Sequence, residues 1–425
     1  MTNCWPFAKL GDHIDLLAGY AFKSRDFTEE ADDIKLLRGA NIGQGCLKWD
    51  RERRWPRSRA AEHCKFELAA NDIVLAMDRP WIEAGLKWSV VREPDLPMLL
   101  VQRVARLRAT GPLSQHYLRY MIGSPQFEAY VRPIVTGVNV PHISPTQIRD
   151  FSFGLPPRGI QDSISGLLRP MDDLIENNRR RIEILEEMAR LLYREWFVHF
   201  RFPDHEDVEL VDSDLGLIPN GWGQTCLGEE IDLQRLNIRP FEYPDEEFDH
   251  YSIPAFDDRR FPSVESGAEI RSGKYLLLGE SVMVSKLNPR FPRVWRVDRS
   301  ALVRRAVAST EFLVLVEPAR WTLAYVHGLV TSTDFATRLA TTAGGTSTSH
   351  QRVKPTDVMN MVVVQPPEEV MQLFTRQVEP MLRLADNLIQ QIEVLRDVRD
   401  LLLPRLVTGE LDVSELVLKL EALGV

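Results

Sequence analysis

The stretch "VTGVNVPHISPTQIRDFSFGLPP", residues 135–157, decides the fold because its punctuation returns later in the chain. Residues 346–367 read "TSTSHQRVKPTDVMNMVVVQPP", so a Pro-Thr pair and a double proline recur at one offset of 210. Proline fixes φ and lacks a backbone N–H, so it commonly stands where an element begins or ends. Self-similarity at a long fixed period sets the architecture before any local prediction does.

The repeat extends on both sides of this stretch. "LIENNRRRIEILEEMARLL" (174–192) and "LADNLIQQIEVLRDVRDLL" (384–402) are identical at seven of nineteen positions at the same offset. Upstream, "NCWPFAKLGDHIDL" (3–16) matches "NGWGQTCLGEEIDL" (220–233) at an offset of 217. The chain is therefore predicted to be two copies of one unit, each a variable globular head followed by a long helix.

Apolar residues of both helices recur at alternating steps of three and four, the heptad spacing of a coiled coil, with Asn178 as a polar member. Each stripe is narrow, so we expect the helices to pair antiparallel; the alternative is that each helix packs only on its own head. Pro170 and Pro380 are expected in the first helical turns, and Pro404 is expected to end or kink the second helix. The predicted coiled-coil and partner-docking residues are Ile175, Ile182, Leu185, Leu192, Trp196, Leu388, Ile392, Leu395 and Leu402.

Composition is that of an ordinary globular protein of 425 residues, 44% of them hydrophobic. Strand-like and helix-like runs alternate in both heads, which predicts an α+β protein with two tandem mixed α/β heads and two long helices. No apolar run approaches 18 residues and no signal peptide is visible, so no membrane segment is predicted. The four cysteines lack metal-ligand spacing, so reduced thiols in the cytoplasm are expected.

The net charge of −9 is unevenly distributed. Residues 1–135 carry a net charge of +3, and "RERRWPRSR" (51–59) holds five arginines against one glutamate. A second basic run lies at 286–305. A phosphate responds mainly to charges within about 8–10 Å, so overall acidity does not exclude nucleic acid as a ligand.

Catalytic signatures are missing from the sequence. It contains no phosphate-binding loop G-x-x-x-x-G-K-[ST], no H-E-x-x-H and no G-x-S-x-G. The double prolines "LPPR" and "QPPE" lack the preceding amide or acid of an amino-methyltransferase. The sequence therefore predicts a binding protein without catalytic or metal-ligating residues.

Cationic and amide side chains are the candidates for contact with DNA, because Arg and Lys neutralise phosphates and Arg, Asn and Gln read base edges. Asn139 and His142 either touch DNA or cap a strand-to-helix junction. Trp196 is either coil core or a docking surface, and Arg53, Arg54 and Arg57 are expected to give only non-specific attraction. The predicted DNA-binding residues are Arg38, Asn41, Arg79, Gln102, Arg103, Asn139, His142, Lys286, Asn288 and Arg290.

Several stretches together resemble one family. They are "LLRGANIGQG" (36–45), "NDIVLAM" (71–77), "VQRVARLRA" (101–109), "LIENNRRRIEILEEMARLLYREWFVHFRFP" (174–203) and "GLIPNGW" (216–222). With the tandem plan, they make the chain similar to the specificity subunit of type I restriction-modification systems. One departure is that Arg352 stands where the first copy has His142.

The resemblance implies a non-catalytic subunit that reads double-stranded DNA. Residues 1–157 and 204–367 would be target recognition domains for the halves of a split, asymmetric site. Residues 158–203 and 368–425 would be helical spacers that set the gap. Thirty residues of helix measure about 45 Å, against about 34–36 Å for one turn of B-DNA.

The resemblance also implies which partners join the chain. Two methyltransferase (modification) subunits would dock on the helices, and motor-nuclease (restriction) subunits would join that core. The chain itself would hold no cofactor, while S-adenosylmethionine, ATP and Mg would be bound only by the partners. The alternative is a two-headed protein-binding scaffold without DNA sequence specificity.

Overall fold

The structure is a computed structural model that describes residues 5–49, 52–82, 85–135, 141–298, 303–316, 320–342 and 351–416. The chain forms two compact units. Unit 1 comprises Met1–Asp173 and Leu395–Val425, and unit 2 comprises Leu174–Val394. Each unit therefore contains a globular head and parts of both long helices.

Unit 1 begins with strands and ends with helices. Its elements are β1 (Phe7–Lys9), β2 (Ile14–Ala18), β3 (Ile34–Leu37), β4 (Arg54–Trp55), β5 (Ile73–Ala76), β6 (Trp81–Ile82), β7 (Gly85–Leu86), β8 (Trp88–Val90), β9 (Met98–Leu100), β10 (Val104–Ala109), α1 (Gln115–Ile122), α2 (Pro125–Val135), α3 (Pro145–Arg149), β11 (Ser152–Gly154) and the start of the long helix α4 (Arg158–Tyr193).

Two sheets carry the head of unit 1. The first is antiparallel with the order β2-β10-β5-β8, and the second has the order β4-β3-β9, in which β3 and β9 run parallel. The central strand β5 is buried along its whole length. Its alternate side chains enter two different cores, Ile73 and Leu75 with α1 and α2, and Val74 and Ala76 with the second sheet.

Unit 2 follows the same plan with additions. Its elements after α4 are β12 (Leu210–Ser213), β13 (Gly216–Pro219), β14 (Gly223–Cys226), α5 (Leu227–Glu230), β15 (Asp232–Leu233), β16 (Asn237–Ile238), β17 (Glu247–Tyr251), α6 (Ile253–Asp258), β18 (Ser263–Ser266), β19 (Lys274–Leu277), β20 (Ser281–Ser285), β21 (Val294–Val297), β22 (Arg305–Ala308), β23 (Phe312–Val316), α7 (Leu323–Thr331), α8 (Thr333–Thr342), α9 (Pro355–Met359), β24 (Val362–Gln365) and the long helix α10 (Glu368–Val407).

The sheet orders of the two units correspond strand by strand. The order β15-β23-β20-β21 repeats β2-β10-β5-β8, and β18-β17-β22 repeats β4-β3-β9 with the same parallel pair. The pair β14-β24 likewise repeats β1-β11, while β16 and β19 extend the second sheet of unit 2. The predicted tandem repeat and α+β class are therefore confirmed.

The two long helices begin directly after the double prolines. The carbonyl of Pro157 accepts the N–H of Ile160 at 3.0 Å, and the carbonyl of Pro367 accepts the N–H of Val370 at 3.1 Å. A proline at a helix start costs no hydrogen bond, because the first N–H groups lack intrahelical partners. The recurring punctuation of the sequence thus marks two helix N-termini.

The prediction that Pro170 and Pro380 stand in the first helical turns was wrong, while α10 continues only three residues beyond Pro404, to Val407. Pro170 lies twelve residues inside α4, and α10 passes through both Pro380 and Pro404. The neighbouring residues Leu168 and Leu403 are buried in the core of unit 1. Tertiary packing of the flanking turns outweighs the local cost of an interior proline.

The helices run antiparallel in both units, as predicted. In unit 2, Asn178 Nδ2 donates to Gln391 Oε1 at 3.3 Å, and the ring of Tyr193 lies 6.1 Å from that of Phe374. Residues later in α4 thus contact residues earlier in α10, so the two helices run in opposite directions. In unit 1, Arg399 Nη1 donates to Asp172 Oδ1 at 3.0 Å, with the same sense.

The predicted seam faces inward. Among its members, Ile175, Ile182, Trp196, Leu388 and Ile392 are buried, and Leu185, Leu192, Leu395 and Leu402 are half-buried. The core of unit 1 joins Ile164 of α4 to Leu406 of α10, and that of unit 2 joins Phe197 to Phe374. The alternative in which each helix packs only on its own head is therefore wrong.

Candidate nucleic-acid interface

A loop at the end of the central strand is fixed by three backbone hydrogen bonds in unit 1. Met77 N–H donates to the carbonyl of Arg103, and the carbonyl of Met77 accepts from Ile143 N–H, both at 2.8 Å. Arg79 N–H donates to the carbonyl of Pro141 at 2.7 Å. These bonds bring three separate parts of the chain together. We call residues 77–79 and their counterparts in unit 2, 286–288, the strand-end loops.

Asp78 joins two of the predicted DNA-binding side chains. Its Oδ1 lies 2.8 Å from His142 Nδ1, and its Oδ2 accepts a hydrogen bond from Arg103. The side chains of Arg103 and His142 remain 61% and 43% exposed, so both still face solvent. Helix α3 is capped by Ser144, whose Oγ accepts from Gln147 N–H. His142 therefore has no capping role, and Asn139 lies outside the described residues.

Three cations converge beside the strand-end loop of unit 1. Burial lowers the pKa of Lys87, and the nearby charges of Arg79 and Lys48 lower it further. Lys87 Nζ donates to the carbonyl of Gly39, which directs it toward the loop that follows β3. Arg79 and Lys48 are exposed. Mutual repulsion of such cations favours an anionic ligand, which would relieve it.

Asn41 holds this cationic loop rather than facing solvent. It is fully buried, its Oδ1 accepts from Arg38 N–H at 3.2 Å, and its Nδ2 donates to the carbonyl of Lys48 at 3.0 Å. Both polar atoms of the amide are therefore used within the chain. Arg38 is half-buried, while Gln102 is exposed. The role of Asn41 in this structure is to position Lys48.

The same three hydrogen bonds recur in unit 2. Lys286 N–H donates to the carbonyl of Glu311 at 2.8 Å, and its carbonyl accepts from Val353 N–H at 3.1 Å. Asn288 N–H donates to the carbonyl of Gln351 at 2.9 Å. An isolated β-bridge joins Asp78 to His142 in unit 1. The equivalent bridge in unit 2 joins Leu287 to Arg352. Arg352 therefore occupies the structural position of His142.

The charges around this second loop are rearranged. Glu311, at the position of Arg103, accepts two hydrogen bonds from Arg352, at 3.1 and 2.8 Å. Burial lowers the pKa of Lys286; Glu311 opposes this shift, and the cations Arg235 and Arg352 add to it. Beside this loop three cations therefore accompany one carboxylate, and Arg352 is already paired with that carboxylate. Arg290 is exposed nearby.

The arginine-rich run of the first head contacts its own unit. Arg53 Nη1 donates to Glu29 Oε1 at 3.1 Å, and Arg54 Nη1 donates to the carbonyl of Asp33 at 2.7 Å. Arg57 Nε donates to the carbonyl of Asp32 at 2.8 Å. These arginines therefore hold the loop around residues 29–33 against the segment of β4, and little of their charge is left for an external ligand.

The second basic run is also largely paired within its unit. Arg293 Nε donates to Asp257 at 2.6 Å, and Arg296 Nη1 donates to Glu379 at 2.8 Å. Arg304 donates to Glu247 at 3.0 Å. Density of positive charge along the sequence was therefore a poor guide to cations that can meet an external phosphate.

Three cations were missed by the sequence analysis: Lys48, Lys87 and Arg235. No local motif marks them, because strand pairing brings each to its loop from a different part of the chain. Lys87, for example, immediately precedes β8, the neighbour of β5 in the sheet. Only a knowledge of the strand order could have identified it.

The described part of the chain holds no group of three or more His, Cys, Asp and Glu residues that could bind a metal ion. None of the helices described is long and apolar enough to cross a membrane. The geometry defines a class of protein, a tandem two-headed protein with cations beside equivalent loops.

Comparisons with known proteins identify the relatives of this class. No family model matches the chain. A specificity subunit of the type I restriction enzyme EcoAI from Escherichia coli is 36% identical over 173 residues, 40% of this chain and 28% of the relative. The MjaIX specificity subunit of Methanocaldococcus jannaschii is 24% identical over 311 residues, 71% of this chain and 70% of the relative.

A solved structure agrees in fold. The S subunit of a type I restriction-modification system from M. genitalium covers 96% of this chain and 97% of its own, with a TM-score of 0.55 and 14% identity. That likeness supports the fold alone, while the sequence matches carry the relationship. The predicted resemblance to specificity subunits of type I restriction-modification systems is confirmed.

Proposed function

We propose that this chain is the DNA-sequence-specificity subunit of a type I restriction-modification enzyme. Its two heads read the halves of a split, asymmetric double-stranded target, and the chain itself performs no catalysis. The observation that carries the proposal is the pair of strand-end loops, built by the same three hydrogen bonds and each accompanied by a half-buried lysine with neighbouring cations. The named relatives are specificity subunits.

The electrostatics of the loops support binding of phosphate. Burial, with a smaller contribution from neighbouring cations, lowers the pKa of Lys87 and Lys286, and an approaching anion opposes both effects, so the ligand and the cations stabilise each other. Each phosphate neutralised on DNA also releases condensed counterions. Exposed Arg79 and Arg290 can reach phosphates or base edges from the same surfaces.

The long helices supply surfaces for the modification subunits. On α4, Ile184, Met188 and Leu191 are exposed at the spacing i, i+4, i+7, which places them on one helix face. On α10, the residues exactly 210 positions later, Val394, Val398 and Leu401, are also exposed. All six are between 38% and 64% exposed. Two equivalent apolar stripes suit two copies of one partner.

The buried seam residues have a different task from these stripes. Ile182 and Leu388, for example, pack between the helices and cannot meet a partner without opening them. Restriction subunits would join the complex through the modification subunits. S-adenosylmethionine, ATP and Mg would be held by those partners.

Methylation mapping tests the proposal. Genomes of cells that express the modification subunit with or without this chain would be sequenced for methylated bases. We expect a two-part methylated motif that depends on the chain. Ile184→Ser with Val394→Ser should weaken capture of the modification subunit while leaving unfolding of the chain nearly unchanged. A methylation pattern indifferent to the chain would favour the protein-binding scaffold instead.

A further inference from the structure

We infer that one residue of each strand-end loop determines one base of each half-site, Arg79 reading a guanine and Asn288 reading an adenine. This inference rests on the proposed function and adds the recognised base to it. It follows from the backbone that holds the two residues, from their surroundings and from the chemistry of their side chains.

The two residues are structurally equivalent. Each follows the central strand by three residues, since β5 ends at Ala76 and β20 at Ser285. Each donates its N–H across the loop, Arg79 to Pro141 at 2.7 Å and Asn288 to Gln351 at 2.9 Å. The backbone at this position is therefore anchored in the same way in both units, and only the side chain differs.

Both residues have the left-handed backbone conformation, with φ of 44° for Arg79 and 50° for Asn288. Asparagine tolerates this region, but arginine gains nothing from it, and strained positions of this kind cluster at ligand-binding sites. A glycine would fit the backbone better at both positions. The conformation of the turn therefore does not explain why these positions carry an arginine and an asparagine.

The surroundings leave each side chain able to accept a ligand. Arg79 is exposed, and its charge lies close enough to Lys87 to lower the pKa of that lysine. Asn288 Oδ1 is buried, and no hydrogen-bond donor reaches it within the described residues. A buried acceptor without a donor is costly, so an outward turn of this half-buried side chain, which lets a ligand donate to Oδ1, is favoured.

The chemistry of the two side chains selects the bases. The planar guanidinium of arginine donates two parallel hydrogen bonds to O6 and N7 of guanine in the major groove. The asparagine amide accepts from N6–H of adenine and donates to N7. The unpartnered Oδ1 of Asn288 is the acceptor that an adenine N6–H requires. The neighbouring cations would hold the adjoining phosphates.

Substitution by glycine tests the inference without straining the loop. Arg79→Gly and Asn288→Gly remove the side chain and fit the positive φ, so both proteins should fold. Complexes with the modification subunit would be measured on duplexes that carry the wild-type methylated motif and all its single-base variants. Each change should abolish a preference of about 10- to 100-fold at one base position of one half-site and leave the other half unchanged.

The charge-preserving variant Arg79→Lys separates base reading from phosphate contact. It should lose the preference for guanine yet keep the salt dependence of binding, because lysine retains the charge without the fork. If Arg79→Gly weakens binding to all duplexes equally, Arg79 is a phosphate contact and the inference is wrong. If the wild-type complex itself shows no base preference, the proposed function fails, and the inference fails with it.

Discussion

The two units share a framework and differ in the charges mounted on it. Strand order, parallel pair and strand-end hydrogen bonds are the same in both. Yet Arg103, which donates to Asp78 in unit 1, is replaced in position by Glu311, which accepts from Arg352 in unit 2. The backbone hydrogen bonds do not depend on these side chains, so the loop geometry persists while its chemistry changes.

The same contrast appears where each head meets the helices. In unit 1, buried Asp172 accepts from Tyr120 at 2.9 Å and pairs with Arg119 and Arg399 at 2.8 and 3.0 Å. The corresponding positions of unit 2, at offsets of 208 and 210, hold Leu382, Gly328, His327 and Ala189. The ionic cluster of unit 1 is thus not repeated at these positions, and unit 2 joins its head to the helices through other ion pairs, Arg260 with Glu186 and Arg296 with Glu379.

Removing the carboxylate of the ionic junction should have the largest effect. Asp172→Ala leaves Arg119 without its carboxylate and Arg399 with Asp400 alone, and breaking a buried pair in this way typically costs about 3–5 kcal/mol. The free energy of unfolding would be measured by urea denaturation, with hydrogen exchange to locate the change. Amides of unit 1 should lose protection first.

The apolar residue at the position of Asp172 in unit 2, Leu382, provides the control. Leu382→Ala in unit 2 creates a cavity and should cost about 2–5 kcal/mol, with amides of unit 2 losing protection. If Asp172→Ala shifts stability by less than about 1 kcal/mol, the junction of unit 1 does not depend on its charges. The contrast between the units would then be only apparent.

The two units place their large side chain on opposite sides of the contact between head and helix. Gly328 has no side chain because Tyr193 of α4 fills its place: a Cβ added there would lie 2.4 Å from the tyrosine ring. In unit 1 the corresponding residues are Tyr120 and Leu403, so the bulk lies on the head instead. Gly328→Ala should therefore destabilise unit 2 by about 1–3 kcal/mol in thermal or urea unfolding.

A helical glycine with open surroundings is the matched control. Gly166 lies inside α4, and a Cβ added there meets nothing within 4 Å. Gly166→Ala should stabilise the chain by up to about 1 kcal/mol through helix propensity alone. Adding Tyr193→Leu to Gly328→Ala should recover part of the loss, and no recovery would mean that the tyrosine is not what excludes a side chain.

The sequence predicted those features that depend on short spacing or on identity at a fixed offset. Heptad steps identified the helix seam, since 3.6-residue periodicity is local. The stretch "NDIVLAM" (71–77) contains the central strand β5, and Arg79 was a candidate next to it, but its equivalence to Asn288 became visible only from the strand ends. The repeat alone was enough to predict the two-unit architecture.

The features that escaped prediction depend on distant partners. Lys48 and Lys87 meet Arg79 only after strand pairing, and Asn41 becomes buried because its amide satisfies a loop eight residues long. Several arginines of the basic runs are paired with acids 24 or more residues away, such as Arg53 with Glu29. Charge runs in a sequence carry no information about such pairing.

The smallest predicted effect compares a cation of the strand-end loops with one that is already paired. Lys87→Gln removes a cation repelled by its neighbours, so binding of the assembled complex to its methylated motif should weaken about tenfold. The slope of log affinity against log salt should fall by about one, with the base preferences unchanged. Lys286→Gln should do the same from unit 2, because its cation lies in the equivalent loop.

Arg53→Gln is the control. Its charge is paired with Glu29, so the slope of log affinity against log salt should stay unchanged within error. If the salt slopes of Lys87→Gln and Lys286→Gln equal that of the wild-type complex, as the slope of Arg53→Gln should, the loops do not contact phosphates.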